Sequence, residues 1–153
     1  MTTEHLPNAH LFKRLIAIVY DSLIVMALAM GYGALYLSVK HSVMGIELAT
    51  DERASIGTPG FVGLILTLEI FFWFFWCRGG QTLGMRAWRL QLVQANGQTP
   101  NILQALVRGL VGPFSLLVFG LGYWWSLIDK DGLTLHDRAS GTRVIQKEKE
   151  PKT

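Results

Sequence analysis

The sequence has 153 residues, of which 50% are hydrophobic and only 16% are charged. Because about a quarter of the residues in a soluble domain are charged, this composition favours one membrane-embedded domain over residues 1–150. The net charge of +3 does not indicate nucleic-acid binding, since the basic residues flank apolar segments and form no separate patch. The single cysteine, Cys77, excludes an internal disulfide, and the four histidines lack the spacing of metal ligands.

The first apolar segment runs from Arg14 to Val39 and predicts a transmembrane helix over about residues 15–39. Roughly 25 residues at 1.5 Å per residue exceed the ~30 Å hydrocarbon core of a bilayer. Asp21 is the only formal charge inside this segment, and an ionised carboxylate there costs roughly 2.5–3.5 kcal/mol. Arg14 lies about 10 Å away along the helix axis and cannot pair with it. Asp21 therefore requires another helix, a proton or water.

The second apolar segment predicts a span over about residues 57–77 and contains Glu69 near its middle. Two acids on adjacent membrane helices can share a proton or a cation, which gives Glu69 a functional interpretation. In the alternative interpretation Glu69 is protonated and hydrogen-bonded to Thr67 or to a backbone carbonyl. The sequence leaves both open.

The segment from Gly79 to Pro100 is mixed in polarity and contains basic residues but no acid, which is typical of a cytoplasmic loop. Apolar and polar residues alternate after Trp88 and are followed by Asn96-Gly97, which predicts a short pair of strands joined by a tight hairpin turn. The β-branched residues near 142–145 are expected to pair with the same strand.

The third apolar segment, Ile102 to Ile128, contains Arg108 and is interrupted by Pro113. Because proline breaks or kinks a helix, we expect a short re-entrant or interfacial helix at about residues 101–112 and a third span at about 113–128. A single long tilted span is the alternative. Within the membrane, Arg108 would be a counter-ion for Asp21 or Glu69.

The predicted fold is therefore an all-α polytopic membrane protein with three transmembrane helices, the short re-entrant or interfacial helix and a small cytoplasmic β-hairpin. A charged tail is expected at residues 146–153. Basic residues outnumber acidic ones in three segments: the N-terminus, the 79–100 loop and the tail. This excess predicts that both termini are cytoplasmic. No nucleophile with an oriented base is apparent, so we expect no enzyme, no cofactor and no metal site.

Four parts of the sequence together resemble the RDD family of bacterial membrane proteins. They are the Arg14 to Asp21 segment, Gly80-Gln-Thr-Leu-Gly84, Arg108 after the Thr99-Pro100 helix start, and Asp129 through Thr142. The family is named for one arginine and two aspartates. The resemblance assigns these to Arg14, to Asp21 and to Asp137, with Asp129 as the other choice for the second aspartate. Glu69 is not part of the family signature.

The resemblance implies a protein of the bacterial cytoplasmic (inner) membrane and leaves two functions open. In one, an accessory or scaffolding protein uses Arg14, Asp21, Arg108 and Asp137 as a structural network that stabilises the helix bundle or docks a partner. That partner is a second copy, as in a homo-oligomer, or another membrane protein. In the other, a monovalent cation/proton antiporter uses Asp21 as the coupling acid and exchanges Na+, Li+ or K+ for H+. Because the chain contains no repeat of the kind common in transporters, we prefer the accessory function.

Overall fold

The computed structural model describes residues 7–44, 56–118 and 120–147. Within these ranges the chain forms six helices and two strands, in the order α1 (Leu11–Met44), α2 (Gly57–Gly79), α3 (Leu83–Ala87), β1 (Leu90–Gln94), α4 (Ile102–Leu117), α5 (Leu121–Ile128), α6 (Leu135–Ser140) and β2 (Thr142–Gln146). Most of the charged tail predicted at residues 146–153 lies outside the described residues, and Gln146 is the last residue of β2.

Two helices are long and apolar enough to cross a membrane. They are α1, with 34 residues, and α2, with 23 residues, and few of their side chains are buried within the protein. Each exceeds the ~20 residues that a bilayer span requires. Helices therefore cover both of the first two predicted spans, 15–39 and 57–77, and extend beyond them.

The third predicted span, 113–128, is not a continuous helix. Helix α4 runs through Pro113 and has 16 residues, and α5 has only 8. At 1.5 Å per residue, α4 is about 24 Å long, which is less than the ~30 Å hydrocarbon core. The predicted break at Pro113 is wrong. The chain turns instead before α5, where Gly120 adopts a φ of +68°, a left-handed conformation that glycine accommodates easily.

Helix α4 has two different faces. One face is buried and carries Ala105, Arg108 and Ser115. Large apolar side chains are exposed elsewhere on the helix, namely Leu103, Leu110, Phe114 and Leu117. A helix that is apolar on its exposed side and too short to span is typical of a membrane surface.

The two strands form an antiparallel sheet in which Leu92 pairs with Val144 and Leu90 with Gln146. This confirms the predicted pairing of the two strand segments. The predicted β-hairpin is wrong, because β1 and β2 are separated by α4, α5 and α6. A turn does form at Asn96-Gly97, where Gln94 N–H donates to the Gln98 carbonyl at 2.8 Å. After this turn the capping box of Asn101 and Gln104 starts α4 instead of a second strand.

The chain divides into two compact units. The first combines the chain up to Asp21 with the chain from Phe71 onward, and the second contains Ser22–Ile70. In the second unit, Gly60 and Gly63 of α2 lie close to Tyr36 and Tyr32 of α1, where a larger residue would meet the tyrosine rings. In the first unit, the main apolar cluster surrounds Leu90, Leu92 and Val144 of the sheet.

Candidate functional site

Asp137 is fully buried at the start of α6, where a capping box fixes its position. The Thr134 hydroxyl accepts a hydrogen bond from Asp137 N–H at 3.3 Å, and the Asp137 carboxylate accepts one from Thr134 N–H at 3.1 Å. These reciprocal bonds satisfy two backbone N–H groups that the helix itself cannot satisfy. The short helix is therefore built so that the carboxylate of Asp137 has one fixed orientation.

Two buried arginines bind this carboxylate. Arg14 Nη1 lies 2.6 Å from Asp137 Oδ2, and Arg108 Nη1 lies 2.5 Å from Asp137 Oδ1. Arg14 comes from the first turn of α1 and Arg108 from the middle of α4. We call Arg14, Asp137 and Arg108 the charge triad. It joins three helices that are far apart in the sequence.

The two arginines differ in their other contacts. Arg14 Nε donates to the Ala9 carbonyl at 3.0 Å and its Nη2 to the Val144 carbonyl at 3.2 Å. Arg108 Nη1 makes a second bond, to the Thr142 hydroxyl at 3.2 Å, and its guanidinium lies 5.5 Å from the centre of the Trp76 ring. All three nitrogens of Arg14 are therefore hydrogen-bonded, whereas Arg108 uses one nitrogen twice.

The charges of the triad set the ionisation of Asp137 and of His136. Burial by itself raises the pKa of Asp137, but the guanidinium groups of Arg108 and Arg14 outweigh it and hold the pKa below its ordinary value. For His136, burial and then the charge of Arg108 lower the pKa to about 3. Asp137 is therefore ionised and His136 neutral at pH 7.

The neutral His136 ring packs against Tyr123, with 4.7 Å between ring centres. Its Nε2 lies 3.0 Å from the Thr134 hydroxyl. Its Nδ1 is buried and has no hydrogen-bond partner among the residues described. The imidazole therefore sits as a buried neutral ring beside the triad.

Asp21 occupies a separate position, where α1 meets α3. Its two oxygens accept hydrogen bonds from the Thr82 hydroxyl at 2.5 Å and from Gly84 N–H at 2.8 Å. Thr82 is also the N-cap residue of α3. A side chain at Gly84 would overlap the Ala17 carbonyl of α1, so the close approach requires glycine here. Of the three possibilities that the sequence leaves for Asp21, the structure shows a contact with another helix, made through a hydroxyl and a backbone N–H.

The other predicted residues are not part of the triad. The sequence predicts Arg108 as a counter-ion of Asp21 or Glu69, but the carboxylate that Arg108 binds is Asp137. Glu69 is a half-buried residue of α2 that belongs to the second unit. Asp129 follows α5, pairs with Arg138 at 2.6 Å and accepts Leu133 N–H at 3.0 Å. That backbone bond, together with Arg138, lowers the pKa of Asp129.

Three residues that position the site were not among the predicted site residues: Thr134, Thr82 and Trp76. Thr134 had a usable signal, because a Thr followed three residues later by an acid is the pattern of a capping box. Thr82 lies in the Gly80–Gly84 segment of the resemblance, but neither it nor Trp76 had a local signal for its contact, since these contacts join segments that are distant along the chain.

A family comparison covers nearly all of these residues. The model of the RDD family matches residues 8–141, which include the triad and Asp21. The chain belongs to the RDD family. Comparisons with curated proteins and with solved structures gave no match. Membership in the RDD family, together with two long apolar helices, indicates a membrane protein.

The contacts of the triad predict that Asp137→Asn strongly destabilises the folded protein. The change leaves two buried guanidinium groups without a carboxylate, and breaking a buried ion pair from one side costs about 3–5 kcal/mol. We expect a much lower thermal unfolding midpoint in detergent and less protein in the membrane. Asp131→Asn is the control, because this aspartate also pairs with an arginine but its side chain is 67% exposed. Equal midpoints for the two variants would contradict the structural role of Asp137.

The lowered pKa of His136 predicts how the stability of the folded protein depends on pH. Its pKa is about 3 in the folded protein and 6.5 in a model peptide. Below pH 6.5 the unfolded chain binds a proton that the folded protein does not, so stability falls as the pH drops from 6.5 toward 3. The loss is on the order of 1 kcal/mol per pH unit.

The test is thermal unfolding between pH 7 and pH 5, above the ordinary pKa values of Asp and Glu side chains. His136→Gln should flatten the pH dependence, because it keeps a polar group near Thr134 but cannot be protonated. His10→Gln, at an exposed residue, should retain the wild-type slope. The same slope in wild type and His136→Gln would show that His136 is not the titrating group.

Proposed function

We propose that this protein is an accessory or scaffolding membrane protein of the RDD family whose charge triad is structural. The observation that carries this proposal is the bonding of Asp137. Its carboxylate is fully buried and accepts hydrogen bonds from Arg14, Arg108 and Thr134 N–H. A carboxylate held in this way stays ionised at neutral pH and has little capacity to exchange a proton for a cation. Such a carboxylate is suited to holding three helices in fixed positions.

We also propose a topology of two spans with both ends of the chain in the cytoplasm. The segment before α1 binds the C-terminal strand, since Ala9 N–H donates to the Val144 carbonyl at 2.9 Å. Both ends therefore belong on one side of a membrane, as two crossings by α1 and α2 require. The exposed Arg86 and Arg89 belong to the same unit, and basic residues favour the cytoplasmic side. In this topology α4 and α5 lie at the inner face of the bacterial cytoplasmic membrane and do not cross it.

The partner in this proposal is a second copy of the chain or another membrane protein, with the bilayer as the surrounding solvent. Large apolar side chains on α1 and α2 are exposed, including Met30, Leu35, Phe61 and Phe74. Lipid covers most of such a surface, and a partner helix can cover part of it without a new polar contact.

A monovalent cation/proton antiporter is the second candidate, and one observation favours it. Asp21 is an acid within a helix that is long enough to span, and it is held by a hydroxyl and one backbone N–H, with no arginine bonded to it in the described part of the chain. Intramembrane acids of this kind are common sites of proton or cation coupling.

Everted membrane vesicles distinguish the two functions. Cation-induced pH changes are measured with Na+, Li+ and K+ for wild type and Asp21→Asn at matched membrane abundance. The accessory function predicts no exchange by wild type and a lower yield of folded Asp21→Asn, because the bonds to α3 weaken. It also predicts that the wild type elutes in a larger complex in mild detergent. Exchange by wild type that Asp21→Asn abolishes would refute the accessory function and support the antiporter.

A further inference from the structure

The charge triad is not electrically neutral. It contains two guanidinium groups and one carboxylate, which gives a net charge of +1. The neighbouring His136 contributes no charge at neutral pH, and Asp129 is paired with Arg138. A buried charge without a counter-charge is costly. One more negative charge beside the cluster would therefore stabilise it.

The unused hydrogen-bonding capacity lies on Arg108. Both of its hydrogen bonds use Nη1, and its Nε–H and Nη2 groups have no acceptor among the described residues. Arg14, in contrast, donates through all three nitrogens. We call the Nε and Nη2 side of Arg108 its free edge. The Arg108 side chain is 9% exposed, so it is not completely closed off from its surroundings.

Two tryptophans share one face of α2, and one of them, Trp76, lies beside Arg108. The Trp76 ring lies 5.5 Å from the Arg108 guanidinium and restricts its orientation. Trp73 precedes Trp76 by three residues and lies on the same face of α2. Its indole N–H is buried and lacks an acceptor among the described residues. Indole N–H and guanidinium groups are donors only. The unused donors of Trp73 and Arg108 therefore favour a ligand that accepts hydrogen bonds and carries negative charge.

We propose that the free edge of Arg108 binds one phosphate-class anion. The Nε and Nη2 groups form a planar fork that matches two oxygens of a phosphate group. The ligand is the headgroup phosphate of a membrane lipid or a free phosphate ion. The lipid source is favoured, because α4 also exposes Leu103, Leu110 and Phe114, which suit acyl chains. The inference goes beyond the accessory function and relies on the triad only to hold Arg108 in place.

The test uses the purified full-length protein in a neutral detergent, with unfolding followed by circular dichroism. Three additives are titrated: short-chain phosphatidylglycerol, diacylglycerol of the same chain length, and inorganic phosphate at ionic strength matched with chloride. Wild type is compared with Arg108→Lys, which keeps the charge and can still pair with Asp137 but lacks the fork. Arg86→Lys, at an exposed arginine of α3, is the matched control.

Phosphatidylglycerol should raise the unfolding midpoint of wild type and Arg86→Lys, and Arg108→Lys should require about tenfold more lipid for the same shift. A shift with phosphatidylglycerol alone identifies a lipid headgroup as the ligand. A shift with inorganic phosphate as well shows that the free ion also binds. An equal shift with diacylglycerol, or an equal response of Arg108→Lys and wild type, would overturn the proposal.

Trp73→Phe keeps the test decisive if Arg108→Lys does not fold. It removes the indole N–H donor while keeping an aromatic ring, and it should weaken the lipid response, measured as the shift from this variant's own midpoint without lipid. An unchanged lipid response in this variant would exclude Trp73 from the site and overturn the proposal in that case. The outcome is separate from the structural role of the triad, because that role is measured by the midpoint without additives.

Discussion

The carboxylate of Asp137 is the group on which the first compact unit depends. It binds guanidinium groups from α1 and α4 while its own helix, α6, is held by the capping box with Thr134. Arg14 extends the same set of contacts to the Ala9 and Val144 carbonyls, so the segment before α1 and the C-terminal strand are also included. Burying three charges is costly, and the bonds among them offset this cost only when all three are present. Segments from both ends of the chain thus contact the same buried ion cluster.

The two aspartates of the site act in a similar way. Asp137 binds Thr134 N–H at the start of α6, and Asp21 binds Gly84 N–H and the capping hydroxyl of α3. In both cases a carboxylate satisfies backbone donors at the beginning of a short helix, where the helix dipole also favours negative charge. Five- and six-residue helices are not stable alone in water. Each aspartate therefore fixes a helix whose own hydrogen bonds would be insufficient.

The sequence predicted the features that depend on composition and local pattern. The two long apolar helices, the strand segments at 90–94 and 142–146, and a helix start near Asn101 all have local signals. The helix break at Pro113 and the β-hairpin were wrong, because glycine at position 120 and the capping box at Asn101 decide where the chain turns. Residues 113–128 do not form one continuous helix, and the number of spans stays a prediction. The partner of Arg108 could not be predicted. It depends on long-range packing of α4 against α6, whereas the sequence offered Asp21 and Glu69 as its partners.

The most direct test of the structural role is to remove all the charges of the triad together. Thermal unfolding is compared for wild type, Asp137→Asn alone, and the combination of Arg14→Met, Asp137→Asn and Arg108→Met. If the triad is structural, the combined variant should unfold near the wild-type temperature and well above Asp137→Asn, because replacing a complete buried ion cluster with uncharged groups is often neutral. A combined variant no more stable than Asp137→Asn would contradict this account.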